Sequence, residues 1–135
     1  MELYYGYIMI LKEGIWKMAA KDYLILITSQ SLGSGAEELG KKLMGSYIYT
    51  LAQIEAVEKL PTHILFINSG VYLVTGESNS LDELKELEKK GVKILACGTC
   101  LNYFALEDKI EVGEVSNMQL NVELLTETDK VISIN

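Results

Sequence analysis

The sequence predicts an α/β protein of three layers (α/β/α), with helices on both faces of an open, mostly parallel sheet of about five strands. Three features of the chain point to it. Short apolar runs rich in β-branched residues recur along its length, the segments between them repeat apolar residues every three or four positions, and the runs lead into loops rich in Gly, Ser and Asn. Strands and helices alternating in this order are the pattern of parallel strands joined by helical crossovers.

The strands expected are "YLILIT", "HILFIN", "VKILA" and "KVISI", with "KIEV" as a fifth. Between the first two, Leu39, Leu43, Tyr47, Leu51 and Ile54 fall at helical spacing, which predicts a long amphipathic helix over 36–56 with those side chains on its buried face. Ser80 with Glu83 reads as a capping box, Leu81, Leu84 and Leu87 as an apolar stripe and Gly91 as a stop, so a second helix is expected over 80–90. Ser116 with Gln119 reads as another capping box, ahead of Met118, Val122 and Leu125 in a last helix over 117–128. Residues 1–21 are expected to be an N-terminal extension and 22–135 the α/β domain. The first 17 residues should add little to the core, the alternative being an edge strand or hairpin through "LYYGYIMI".

Composition narrows the function classes. A chain of 135 residues, 49% hydrophobic, suits one domain with one sizeable core. No apolar run approaches the ~20 residues needed to cross a bilayer, and Glu2 stands where a signal peptide carries positive charge, so a cytoplasmic protein without a membrane partner is expected. The net charge is −7 and all 12 basic residues are lysine. Lacking the bidentate guanidinium fork, the chain is a poor binder of nucleic acid.

Ligands of open parallel sheets collect outside the carboxyl ends of the strands. Four loops meet that description: "SQSLGSG" with Ser29, Gly33, Ser34 and Gly35; "NSGV" with Asn68, Ser69 and Gly70; "CGTC" with Cys97, Gly98, Thr99 and Cys100; and "GEVSN" with Ser116 and Asn117. The first opens a helix as anion-binding loops do, but it lacks the Gly-Lys-Ser/Thr of a phosphate loop, and Glu38 stands where a dinucleotide fingerprint needs its third glycine. It reads either as a small-anion cradle or as a turn with a helix cap. Cys97 and Cys100 are the only cysteines, at the end of a strand and in the first turn of the following helix, where free N–H groups and the helix dipole favour a thiolate. They read as reactive thiols, as a redox pair, or as two small buried apolar residues. A zinc site needs about four ligands, and the sole histidine, His63, belongs to the opposite edge of the sheet. No metal or catalytic role for His63 is expected.

In order along the chain, "SLGSGAEELGKKLM", "FINSGVYL", "LDELKELEKKGVKILACGTCLNYF" and "VGEVSNM" resemble the DsrE-like domain of the YedF family of sulfurtransferase-like selenium metabolism proteins, over about residues 22–134. The resemblance implies a DsrE-like fold and a sulfurtransferase or sulfur carrier that relays sulfur, or selenium, as a cysteine persulfide without metal or organic cofactor. Cys97 matches the reactive cysteine of the wider DsrE and TusD group, and Cys100 is the extra thiol of the YedF pattern. The implied partners are a persulfide donor and a thiol acceptor protein, a TusA-like carrier among them, and a second copy of the chain in a dimer, trimer or hexamer. Exposed aromatic residues in "GVYLV" and "LNYF" would serve such an assembly. YedF proteins typically carry a TusA-like domain that residues 1–21 do not supply, so donor and acceptor are expected to be separate proteins. "LNYFAL" replaces the basic, glycine-containing stretch of DsrE and TusD, and partner docking does not carry over. Two alternatives stand beside this one: a non-catalytic binding or scaffold protein of the same fold, and a CxxC thiol-disulfide redox protein.

Overall fold

In the computed structural model, residues 22–135 are described throughout. Of residues 1–21 only three backbone strands are: β1 (Leu3–Tyr5), β2 (Ile8–Ile10) and β3 (Trp16–Met18), paired antiparallel in that order. Strands β1 and β2 lie in the segment for which a hairpin was the alternative expectation. How much residues 1–17 add to the core depends on side chains outside the described residues.

The domain runs β4 (Tyr23–Ile27), α1 (Glu37–Ala52), β5 (His63–Phe66), a 3-10 helix (Asn68–Val74), α2 (Leu81–Lys89), β6 (Lys93–Cys97), α3 (Gly98–Tyr103), β7 (Glu114–Ser116), α4 (Met118–Glu127) and β8 (Lys130–Ile134). Its five strands lie in the order β7-β6-β5-β4-β8, and every neighbouring pair is parallel. Side chains alternate across the sheet, so each apolar strand feeds two cores. Ile25, Ile27, Ile64, Phe66, Ile94 and Ala96 face Met44 and Ile48 of α1, Leu84 and Leu87 of α2, and Leu101 of α3. Leu24, Leu65 and Leu95 face the other way, against Leu120, Leu124 and Leu125 of α4. The α/β class with helices on both faces is thus the observed one.

Several details differ from expectation. The fifth strand is Glu114–Ser116, not "KIEV": Ile110 makes only an isolated antiparallel bridge with Thr75, and Gly113, at φ 84°, turns the chain before β7 pairs with β6. Helix α1 is rotated from the predicted stripe. It buries Gly40, Met44, Ile48, Leu51 and Ala52, leaving Leu39 and Leu43 exposed at 55% and 44%. Gly40 faces inward because the loop before α1 lies against it; a β-carbon there would fall on Ser31 Oγ. Helix α4 is rotated in the same way, exposing Met118 and Val122 while Leu120, Asn121, Leu124 and Leu125 turn to the sheet. Neither capping box forms: Ser80 makes no side-chain cap bond, and α4 is capped by Asn117, whose Oδ1 accepts from the Leu120 N–H at 2.8 Å.

The carboxyl end of α1 has no basic residue of its own. Lys90, just beyond α2, supplies the charge: its Nζ donates to the carbonyls of Ala52 (2.6 Å) and Ile54 (3.1 Å). A cation at that end complements the helix dipole and satisfies carbonyls that the helix leaves free.

Candidate functional site

Three of the loops singled out in the sequence follow β4, β5 and β6 and line one carboxyl edge of the sheet. The fourth, "GEVSN", is not a loop after a strand but holds β7 itself, so that only Asn117 lies beyond a strand end there, next to the end of β6. Cys97 closes β6, is 1% exposed and occupies the N-cap position of α3. Cys100, one turn on, is half-buried, and both thiols are free. The β5 loop reaches across to them: Asn68 adopts the left-handed conformation (φ 50°), which asparagine tolerates better than most residues, and its backbone N–H donates to Cys100 Sγ at 3.1 Å. Cys97 lies close enough to Cys100 to bear on its titration. Burial, and then the neighbouring Cys97 thiol, push the Cys100 thiol above its ordinary range, while the Asn68 N–H pulls the opposite way. The helix start was expected to favour a thiolate at either cysteine. At Cys100 desolvation outweighs it, and the S–H that is retained can donate to a Cys97 sulfur anion.

Two glycines permit this close assembly. A β-carbon on Gly70 would lie 2.5 Å from the Ile27 carbonyl oxygen, so the β5 loop can pack on the end of β4 only with glycine there. One on Gly98 would lie 3.0 Å from the Ser116 carbonyl oxygen and 3.1 Å from Val115 Cγ1, where β7 closes on the start of α3. Thr99 is exposed beside the pair and Ser69 is half-buried. Of the aromatic neighbours expected at the surface, Tyr72 and Phe104 pack on each other (ring centroids 5.0 Å) and only Tyr103, 82% exposed, stands out into solvent.

The β4 loop is less engaged. Ser29 Oγ accepts from the Ser31 N–H, and the Gly33 N–H donates to the Asn135 carbonyl beyond β8, on the side away from the cysteines. Ser34 and Gly35 are exposed. Ser116 is the register partner of Cys97 and is buried; its Oγ donates to Asn121 Oδ1 at 2.7 Å. Asn117 is occupied in capping α4. Asn121 was missed in the sequence. It is 1% exposed, and its Nδ2 has no hydrogen-bond partner among the described residues. A buried donor left in that state costs about 1–3 kcal/mol. Read in the correct phase, Leu120, Leu124 and Leu125 would have flagged it as a polar residue on the buried face of α4.

His63 opens β5 at the far edge, where burial and the charge of Lys93 lower its pKa. Among the described residues, no group of three His, Cys, Asp or Glu side chains is placed to hold a metal ion, and no helix is long and apolar enough to cross a membrane.

A parallel α/β domain carrying a CxxC thiol pair at the carboxyl end of an inner strand defines a class. The chain belongs to the DsrE/DsrF-like family, whose sequence profile matches residues 21–134. No curated protein matches it. Among solved structures it is similar to the ychN protein of E. coli (TM-score 0.63, 16% identity, covering 84% of this chain and 98% of that one). It is also similar to a protein of unknown function from Methanobacterium thermoautotrophicum (0.60, 21%, covering 84% and 98%). A conserved protein of unknown function from Bacteroides thetaiotaomicron matches likewise (0.60, 21%, covering 87% and 99%). At these identities the likeness is one of fold.

Proposed function

We propose that the protein is a sulfur carrier that holds sulfane sulfur as a persulfide on Cys97, with selenium as the alternative chalcogen of a YedF-like role. One observation carries this: two free, neighbouring thiols at the carboxyl end of an inner strand, in a chain of the DsrE/DsrF-like family. In the uptake step the Cys97 thiolate attacks the outer sulfur of a donor persulfide, R–S–SH. The new S–S bond gives Cys97–S–SH, and R–S⁻ leaves. In delivery an acceptor thiolate attacks that outer sulfur, receives it as its own persulfide and returns the Cys97 thiolate. Cys100 has two parts. As a thiol it donates to the Cys97 sulfur; as a thiolate it attacks the inner sulfur of Cys97–S–SH, forming the Cys97–Cys100 disulfide and expelling HS⁻. A thiol reductant then resets the pair. Donor and acceptor are thiol proteins, a TusA-like carrier among them, and the thiols belong in a reducing compartment such as the cytoplasm.

Self-association belongs to the same proposal. Among the described residues only α4 packs against the Leu24–Leu65–Leu95 face of the sheet, and it leaves Met118 and Val122, one turn apart, exposed. Light scattering tests it, with a multiple of the chain mass expected.

The 1% exposure of Cys97 favours a second reading, a scaffold whose thiols are structural. The experiment that separates the two is a chase. Protein loaded from a donor carrying radiolabelled sulfane sulfur is isolated and mixed with a thiol acceptor protein. A relay passes the label to the acceptor; a scaffold retains none to pass.

A further inference from the structure

We propose that Asn121, oriented by Ser116, is a positioning residue whose side-chain amide supplies the hydrogen bond that stabilises the sulfur anion formed at Cys97. This rests on the reading of Cys97 as the sulfur that ionises and carries.

Cys97 and Ser116 are register partners on adjacent parallel strands, a spacing of about 4.8 Å, and partners in parallel register project to the same face of the sheet. By alternation from Leu95, which packs against α4, that face is the one α4 covers. Asn121 sits in the first half of α4, immediately after β7, held to Ser116 through Oδ1. Its Nδ2 is therefore buried on the Cys97 side of the sheet with no partner among the described residues.

The surplus does not depend on which way the amide is turned. Hydroxyl and amide hold three polar hydrogens between them, and their mutual bond uses one. If the amide is reversed, Nδ2 donates to Ser116 Oγ and the hydroxyl proton is released in its place. Either way buried donors are left without an acceptor on the face of the sheet to which Cys97 projects, and its sulfur becomes an acceptor on ionising. A thiolate or a terminal persulfide sulfur accepts such a bond, whereas a thiol gains little from it. The pair thus offers a donor to the charged form of Cys97 from the α4 side.

The test uses the full chain with Cys100→Ser, which leaves Cys97 as its only thiol, and follows thiolate ultraviolet absorbance against pH together with the melting temperature. Asn121→Leu is expected to move the midpoint up by about one pH unit, the size of one hydrogen bond to a charged group. The melting temperature serves to show that the variant folds, because the substitution removes an unpaired amide and at the same time leaves the buried Ser116 hydroxyl without its acceptor. Ser116→Ala, which keeps the amide but frees its orientation, is expected to move the midpoint in the same direction by less, and serves where Asn121→Leu does not fold. A midpoint unmoved in the variants that fold overturns the proposal, as does a lower melting temperature with an unmoved midpoint, which makes Asn121 structural. No persulfide donor enters this titration. A shift without sulfur uptake upholds the donor role and removes the relay; uptake with no shift does the reverse.

Discussion

Replacing Gly70 with alanine tests whether the β5 loop is held at the site by direct contact with β4. The added β-carbon would meet the Ile27 carbonyl oxygen at 2.5 Å. That oxygen cannot swing away, because it already accepts the Ile67 N–H at 3.0 Å. Ordinary contact begins near 3.4 Å, so the loop has to retreat by about 0.9 Å (3.4 − 2.5), and overpacking of this kind costs about 1–3 kcal/mol. For a domain of this size each kcal/mol lowers Tm by roughly 3–5 °C, which gives an expected fall of about 3–15 °C in a calorimetric or circular-dichroism melt. Gly45, inside α1, is the matched control. A β-carbon there meets nothing within 4 Å, so Gly45→Ala should gain the helix propensity that glycine lacks and stabilise by about 0.5–1 kcal/mol. An unchanged Tm for Gly70→Ala, or equal losses for both substitutions, would refute the close-approach reasoning.

Lys90→Met removes two charge-assisted hydrogen bonds from the end of α1 and should lower the urea midpoint by the equivalent of about 1.5–3 kcal/mol at constant m-value; an unmoved midpoint would show the ammonium to be idle. His63 is held below its unfolded value of 6.5, so the unfolded chain binds the extra proton. The stability His63 contributes is complete above pH 6.5 and is lost as the pH falls through the folded value. Urea titrations of His63→Asn should therefore show a shallower decline below pH 6.5 than the unaltered protein, and equal slopes would count against this assignment. Removing Cys97 deletes two of the influences that raise Cys100 and leaves the Asn68 N–H, so in Cys97→Ala the alkylation–pH profile of Cys100 should move to lower pH; a move upward would mean that the influence of Cys97 on Cys100 is misassigned.

What the sequence revealed, and what it hid, divides along physical lines. Strands β4, β5 and β6 were legible because a parallel strand buried on both faces reads as a continuous apolar run, and β8, a half-exposed edge strand, because Val131, Ile132 and Ile134 are β-branched. Helices α2 and α4 were legible in extent, but α1 ends at Ala52, short of the expected 56 and of Ile54, and its phase was not legible either: its inward face includes Gly40, while Leu39 and Leu43, the more hydrophobic side chains, point outward. The same error in α4 hid Asn121, because the stripe was placed on Met118 and Val122. "KIEV" looked like a strand since Ile110 and Val112 are drawn into the core, yet pairing begins only after Gly113 turns the chain. The thiol pair could be placed at a strand-to-helix junction from spacing alone. Its surroundings could not, since the Asn68 N–H reaches Cys100, and Ser116 the register position beside Cys97, only through strand order, which local pattern does not encode.

Intact-mass measurement after incubation with a persulfide donor, on the unaltered protein and on the two single cysteine variants, tests the central claim most directly. The account predicts one added sulfur atom on the unaltered protein, none on Cys97→Ser, and a longer-lived adduct on Cys100→Ser, which lacks the resolving thiol. An adduct on Cys97→Ser but not on Cys100→Ser would exchange the roles of the two sulfurs. No adduct on any of the three would contradict the relay and leave the DsrE/DsrF-like domain as a binding scaffold.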